Sequence, residues 1–250
     1  MKQFVIDSCP VRDGKVVVRG KDFHYLIRVR RYRVGSAFPV MDREGRHATA
    51  TVTVIADGEC VLSLAAAAAE TPAGAQPPST EVRLVQCLPK AKKMDAIVRQ
   101  AAEAGVARVM PAVSRYCVSR PEEEAAASKV QRWRQIAREA VQQSGSATAT
   151  EVDEARSLAA VIAASADCDC RLFFHHLPMP ERVRLHDVVP EASKIAFIIG
   201  PEGGLADEET DLLLKSGWQP VYLGKNILRC ETAPLYAAAA INIILEECRK

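Results

Sequence analysis

The sequence predicts an α/β protein in which a mostly parallel sheet follows a small β-rich domain. Before residue 70 the apolar residues form short β-branched or alternating runs, which Asp-Gly and Glu-Gly turns separate. After residue 79 candidate strands and helices alternate, which is typical of a parallel sheet. The stretch between them is rich in Pro and Gly and has no periodicity, which indicates a linker. We therefore expect domains at residues 1–70 and 80–250, joined by residues 71–79.

The composition is that of a globular protein without a membrane segment. The chain has 250 residues, of which 48% are hydrophobic, and its longest apolar runs fall short of a membrane span. No charged-then-apolar leader opens the chain, so we expect a cytoplasmic location. The net charge is only +2, so a nucleic acid would have to be bound by a local basic patch. The eight cysteines form no Cys-x-x-Cys pair, which indicates reduced thiols in apolar places.

The first domain contains five predicted strands and one predicted helix. The strands cover residues 3–6, 15–18, 37–41, 48–55 and 60–64, and the pattern is that of a small β-barrel. Residues 22–33 predict a short helix with Leu26 and Val29 facing inward. This segment also carries the densest positive patch, Arg28, Arg30, Arg31 and Arg33 around Tyr32. Its arginines either form a solvated face or contact phosphate, and Tyr32 could then stack on a base.

The second domain begins with alternating strands and helices. Strands are predicted at residues 82–88, 108–113 and 171–174, and helices at about 94–104, 121–144 and 157–164. The first of these strands ends beside Lys90, Lys92 and Lys93. Because ligands bind at the carboxyl ends of parallel strands, these lysines either contact RNA or simply face solvent.

Two glycine-rich stretches mark the expected binding site. Residues 195–199 form an unbroken apolar run that ends in Gly-Pro-Glu-Gly-Gly at 200–204, and residues 221–223 form a second short strand that ends at Gly224. A helix should follow each loop, from Asp207 and from about Thr232. We expect the two strands to be neighbours whose glycine loops enclose a ligand crevice.

Other chemistries are less well supported by the sequence. It contains no P-loop, no Gly-x-Gly-x-x-Gly after a strand and no Gly-x-Ser-x-Gly elbow, which argues against nucleotide hydrolysis, Rossmann redox chemistry and a serine hydrolase. Cys168, Cys170, His175 and His176 hint at metal-ligand spacing, but strand geometry would hold the cysteines and histidines apart. We therefore expect no metal.

The glycine loops and the segment Leu-Gly-x-x-Ile-Leu-Arg-x-Glu-Thr-Ala at 223–233 together resemble the signature of the SPOUT methyltransferases, and more narrowly the RsmE family. Leu88-Pro-Lys90, residues 102–106 and residues 139–145 also match family segments. The resemblance implies a knotted α/β domain after a PUA-like RNA-binding domain, a homodimer, and S-adenosylmethionine-dependent methylation of one uridine N3 in small-subunit ribosomal RNA, within the assembled subunit. Alternatives are another RNA position or a non-catalytic ribosome assembly factor.

The resemblance also assigns site residues. The implied cofactor-binding residues are Phe174, His175, Ile199, Gly200, Glu202, Gly203, Gly204, Leu223, Gly224, Ile227, Leu228 and Ala233. The predicted RNA-binding residues are His24 and Arg28, which match a family motif, together with Arg30, Arg31, Arg33, Lys90 and Lys92 of the two basic patches. Arg229 and Glu231 are the catalytic candidates, although Arg229 could instead form a structural ion pair with Glu202 or Glu231. Ser146 stands where the family usually has Arg, which puts an RNA contact from that loop in doubt.

Overall fold

A computed structural model describes residues 3–6, 13–42, 45–66, 80–118 and 123–248, and the chain divides into two compact units. The first comprises Met1–Pro77 with Gln142–Ala149, and the second comprises Pro78–Val141 with Thr150–Lys250. The predicted linker, residues 71–79, lies outside the described residues. The domain limits given above stay a prediction.

The first unit contains one five-stranded sheet. Its strands are β1 Phe4–Ile6, β2 Lys15–Arg19, β3 Ala37–Asp42, β4 His47–Ala56 and β5 Glu59–Ala66. They lie in the order β1-β3-β4-β5-β2, with β1 parallel to β3 and the other pairs antiparallel. Alternating residues such as Val16 and Val18 are buried while their neighbours are exposed, as expected for a strand with one face on a core. All five predicted strands are therefore confirmed.

The predicted helix at residues 22–33 is shorter than expected and only partly α-helical. Helix α1, Gly20–Phe23, continues into a π-helical turn at His24–Val29, and the helix ends before Arg31, whose φ is +57°. Leu26 is buried as predicted, but Val29 is 57% exposed, so its predicted inward orientation was wrong. The wider π-helical turn breaks the 3.6-residue period on which that prediction depended.

The second unit is built on a parallel sheet. Its strands are β6 Glu81–Cys87, β7 Arg108–Val113, β8 Glu151–Val152, β9 Arg156–Ser157, β10 Cys170–Phe174, β11 Lys194–Ile199 and β12 Gln219–Val221. The order is β12-β10-β11-β6-β7-β8, with β9 also pairing with β7. Strands β6 and β11 are buried along almost their whole length, which explains their unbroken apolar runs. The very short β8 and β9 were not predicted.

Helices connect the strands of this sheet. They are α2 Lys93–Glu103, α3 Glu123–Ser144, α4 Leu158–Ala164, α5 Leu185–Val188, α6 Asp207–Lys215 and α7 Ala233–Cys248. The predicted apolar stripes are buried, for example Ile97 and Val98 on α2 and Trp133 and Ala137 on α3. Within the described ranges, no helix combines the length and the apolar character that crossing a membrane requires. The trefoil knot stays a prediction.

The prediction that the strands at 195–199 and 221–223 are adjacent in the sheet was wrong. Strands β11 and β12 are not adjacent, because β10 lies between them and pairs in parallel with both. Strand β12 also ends at Val221, so the predicted strand residue Leu223 lies in the loop that follows. The physical reason is that pairing order is set by long-range packing, which a run of apolar residues does not encode.

Candidate functional site

The loops that follow β10, β11 and β12 meet at the carboxyl edge of the sheet and enclose one cavity. The cavity has a volume of about 550 Å³, within the range of small-molecule sites. Because β10 is the middle strand of the three, its loop at Phe174–His176 supplies the wall between the two glycine loops. Three parallel strands therefore deliver three loops to a single place.

All twelve residues expected to bind the cofactor line this cavity. They are Phe174, His175, Ile199, Gly200, Glu202, Gly203, Gly204, Leu223, Gly224, Ile227, Leu228 and Ala233. The sequence prediction did not include further lining residues, namely Lys93, His176, Pro201, Leu205, Asn226 and Cys230. Most of these are sequence neighbours of predicted residues, and extending each loop would have found them. Lys93 comes from a different part of the chain.

Glycine is required in the two loops for different geometric reasons. Gly204 has φ of +73° and Gly224 has φ of +126°, conformations that L-residues with a side chain rarely adopt. Gly203 was expected to let backbone approach a ligand. A Cβ at Gly203 would lie 3.0 Å from the Cβ of Tyr116, so close packing against that tyrosine also requires glycine there.

Lys93 is the charged centre of the site. It is the first residue of α2, and its Nζ lies 2.9 Å from Oε1 of Glu202 and 3.1 Å from Oε2 of Glu231. The backbone N–H of Lys90 donates to the same Glu202 carboxylate at 3.1 Å. Although burial acts in the opposite direction, the Lys93 ammonium and backbone N–H groups lower the pKa of Glu202 to about 2. Both hydrogen bonds to carboxylates raise the pKa of Lys93, so it stays protonated at neutral pH.

The two catalytic candidates lie in different environments. Arg229 is exposed and lines the cavity, and among the described residues it has no ion-pair partner. The alternative in which Arg229 pairs with Glu202 or Glu231 does not occur, because Lys93 binds both carboxylates. A backbone N–H and Lys93 lower the pKa of Glu231, which makes it a weak base.

Cys230 and the loop after β10 complete the walls. Cys230 is 6% exposed, and burial, followed by the nearby Glu202 charge, raises the pKa of its thiol to about 12, which makes it a poor nucleophile. Phe174 packs edge-to-face on Phe197 with ring centres 6.0 Å apart, and this contact anchors the loop. The Nδ1 of His175 lies 3.1 Å from the carbonyl oxygen of Leu177. In the described parts of the chain, no group of His, Cys, Asp and Glu is placed to hold a metal.

The residues expected to bind RNA are all at the surface of their own unit. In the first unit His24, Arg28, Arg30, Arg31 and Arg33 are exposed, and in the second Lys90 and Lys92 are exposed. Tyr32, in contrast, is half-buried and stacks on Phe38 with ring centres 4.5 Å apart.

The guanidinium of Arg30 lies 5.8 Å from the centre of the Tyr32 ring. With Phe38 on one face and this cation beside it, Tyr32 packs against the core and supports Arg30. The predicted stacking of a base on Tyr32 would therefore have to displace one of these contacts.

Comparison with known proteins agrees with this architecture. Residues 76–242 match the model of an RNA methyltransferase domain, and residues 18–64 match that of an RNA methyltransferase PUA domain. The ribosomal RNA small subunit methyltransferase E of Synechocystis is 31% identical over 98% of this chain and 78% of its own length. The chain belongs to the RsmE family.

Other RsmE proteins are also similar to this chain over more than nine tenths of its length. The Bacillus subtilis protein is 25% identical over 93% of this chain and 91% of its own length. A crystal structure of the Neisseria gonorrhoeae protein bound to S-adenosyl methionine is 26% identical and has a TM-score of 0.77. That similarity covers 98% of both chains, so both units of the RsmE fold are present here.

Proposed function

We propose that this RsmE protein transfers a methyl group from S-adenosylmethionine to N3 of one uridine in small-subunit ribosomal RNA, in the cytoplasm. The observation that carries the proposal is the cavity formed by three loops at the carboxyl edge of the sheet, with Arg229, which pairs with no carboxylate of the described residues, at its wall. Relatives over nearly the full length are named as methyltransferases of the small-subunit RNA. The N3 position follows from the family resemblance.

The cavity suits S-adenosylmethionine in size and in the chemistry of its walls. Ile199, Leu223 and Leu228 offer apolar walls for the adenine ring, and the glycine loops let backbone groups approach it. The wall also carries one carboxylate, Glu202, and two cations, Lys93 and Arg229. S-adenosylmethionine would supply the methyl group from its sulfonium when bound.

The chemistry at the uridine assigns a role to Arg229. N3 carries a weakly acidic proton, which must pass to solvent water as the new N–C bond forms and the methyl–sulfur bond of the donor breaks. Negative charge then spreads onto the uracil O2 and O4, where a cation stabilises it. Arg229 is exposed at the cavity and has no ion-pair partner among the described residues, so its charge is available to the incoming base. Glu231 is engaged by Lys93, and we assign it to loop positioning.

The arginine cluster of the first unit is the proposed RNA contact outside the pocket. Arg28, Arg30, Arg31 and Arg33 are all exposed, and exposed arginines bind phosphate bidentately. Replacing Arg30, Arg31 and Arg33 by Ala should weaken RNA binding and flatten its salt dependence, while cofactor affinity stays the same. Filter binding at several salt concentrations measures both effects. Unchanged methylation of small subunits by this variant at raised salt would place the RNA elsewhere.

We also propose a homodimer. Helix α7 exposes Leu235, Tyr236 and Ile243, whereas Ala237 and Ala238 of the same helix are buried. Tyr236 and Ile243 line a groove between α5 and α7 that shares Leu223 with the cavity. A self-complementary apolar face of this kind suits a two-fold contact.

Light scattering should therefore give about twice the 27.2 kDa of one chain. Ile243→Glu should reduce the mass toward one chain, whereas Leu212→Glu, on the exposed face of α6, should not. A monomeric parent protein at micromolar concentration would contradict the homodimer.

Two measurements test the proposed activity. Calorimetry should detect S-adenosylhomocysteine binding to the isolated protein, and incubation with small subunits that lack the modification should place one methyl group on a uridine. Mass spectrometry of RNA digests identifies the methylated position. Binding without transfer to any RNA would favour a non-catalytic assembly factor, and transfer to another nucleotide would favour a different RNA position.

A further inference from the structure

The ammonium of Lys93 joins three separate segments of the chain. It lies on the first turn of α2 and contacts Glu202 of the loop after β11 and Glu231 of the loop after β12. Its Nζ also lies 3.9 Å from Sγ of Cys230. The two loops, residues 200–206 and 222–232, contain no helix and no strand. One side chain therefore connects both glycine loops to the end of a helix.

This cluster differs from an ordinary surface ion pair. The side chains of Lys93, Glu202 and Glu231 are only 33%, 25% and 27% exposed, so solvent screens their attraction less than at an open surface. Lys93 itself lines the cavity. The hydrogen bonds to its two carboxylates raise its pKa, so Lys93 stays charged and is not a proton acceptor.

We propose that Lys93 is a positioning residue for the methyl-transfer site. It holds the two glycine loops in register with each other, and it engages the two carboxylates that would otherwise attract the neighbouring Arg229. The second effect leaves the Arg229 guanidinium free to face the substrate. The first effect stands without any ligand, whereas the second rests on the proposed function.

The coupling of the loops can be tested without cofactor. In Lys93→Met, hydrogen exchange of backbone amides should increase together in residues 200–206 and 222–232. Glu231→Gln, which removes one arm and not the other, should affect mainly residues 222–232. Lys215→Met is the matched control, because Lys215 is exposed at the end of α6 and has no ion pair among the described residues. Unchanged exchange in both loops of Lys93→Met would overturn the inference.

The effect of Lys93 on the site can be tested by measuring S-adenosylhomocysteine binding and turnover. Lys93→Met should weaken S-adenosylhomocysteine binding about tenfold and also lower kcat at saturating substrates. Lys93→Arg should restore much of both, and adding Glu231→Gln to Lys93→Met should restore part of kcat, because one unpaired carboxylate near Arg229 is removed. A purely structural lysine would give no such recovery from a second substitution.

The outcomes separate the two proposals. If the parent protein binds no S-adenosylhomocysteine but the loops still loosen together in Lys93→Met, the proposed function fails and the coupling stands. If the parent binds and Lys93→Met binds equally well with unchanged exchange, the coupling fails and the proposed function stands. Loss of folding in Lys93→Met would leave Glu231→Gln as the deciding variant, since selective loosening of residues 222–232 supports the inference and its absence refutes it.

Discussion

The two edges of the parallel sheet use ion pairs in different ways. At the amino edge, where β6, β10 and β11 begin, Arg83 donates to Glu81 and to both oxygens of Asp167, and Asp167 also accepts from Lys194. At the carboxyl edge, Lys93 connects two irregular loops and borders a cavity. At the amino edge two cations pair with two carboxylates, whereas at the carboxyl edge one ammonium pairs with two carboxylates beside a cavity.

This difference shows what each network stabilises. The Arg83 side chain is only 7% exposed, and its partners are Glu81 at the start of β6 and Asp167 in the turn that precedes β10, so the network fixes the start of these strands. Asp169 acts similarly by accepting the backbone N–H groups of Ser193 and Lys194. At the carboxyl edge, ion pairs hold two glycine-containing loops that have no helix or strand. One edge therefore supports the fold, and the other supports the site.

The largest effect of the difference between the two edges is expected at Arg229. Arg229→Ala removes the proposed cation for the uracil oxygens, so turnover should fall about 100-fold while unfolding free energy and cofactor affinity change little. Methyl-transfer rates at saturating RNA and cofactor measure the effect. Lys225→Ala, an exposed cation of the same loop, is the matched control. Equal rates for Arg229→Ala and the parent would remove Arg229 from the mechanism.

The amino edge should respond in the opposite way. Arg83→Met leaves Glu81 and Asp167 without their shared donor, and the unfolding free energy should fall by about 2 kcal/mol. Urea denaturation measures the loss. Arg184→Met breaks an exposed pair with Asp187 and should lower the unfolding free energy much less. Both variants should bind S-adenosylhomocysteine like the parent, and weakened binding in Arg83→Met would mean that the edges are not independent.

Two glycines with positive φ, one at the cavity and one away from it, test the role of the site further. Gly224 and Gly58 both have positive φ, of +126° and +77°, and a Cβ added at either position would meet no atom within 4 Å. Alanine at either should therefore cost about 1 kcal/mol of stability through backbone strain alone. Only Gly224→Ala should also weaken cofactor binding, since Gly224 lines the cavity. Equal binding by both variants in calorimetry would show that the cavity tolerates the strain.

The smallest expected effect concerns acid pH at Glu202. Its pKa is about 2 in the folded protein and 4.5 without its partners, so its contribution to stability is complete above pH 4.5 and is lost as the pH falls toward 2. With a side chain 25% exposed, this contribution should stay under about 1 kcal/mol. The difference in Tm between the parent and Glu202→Gln should be constant above pH 4.5 and shrink below it. A difference that grows on acidification would contradict the assignment.

Local pattern alone determined most of the fold. The five strands of the first unit, the buried runs of β6 and β11 and the apolar stripes of α2 and α3 are confirmed, because each depends on a periodicity within one element. The family resemblance, not periodicity, supplied the twelve predicted cavity residues, which lie in two motifs and one neighbouring loop.

Long-range packing decided the rest. Strand β10 separates β11 from β12, and the sequence of neither strand states its pairing partner. The π-helical turn that exposes Val29 and the pairing of Lys93 with Glu202 and Glu231 also lie outside any local period. Lys93 is more than one hundred residues from both carboxylates, and only the sheet brings them together. The sequence thus identified the loops of the site, and only the tertiary structure showed that Lys93 joins them.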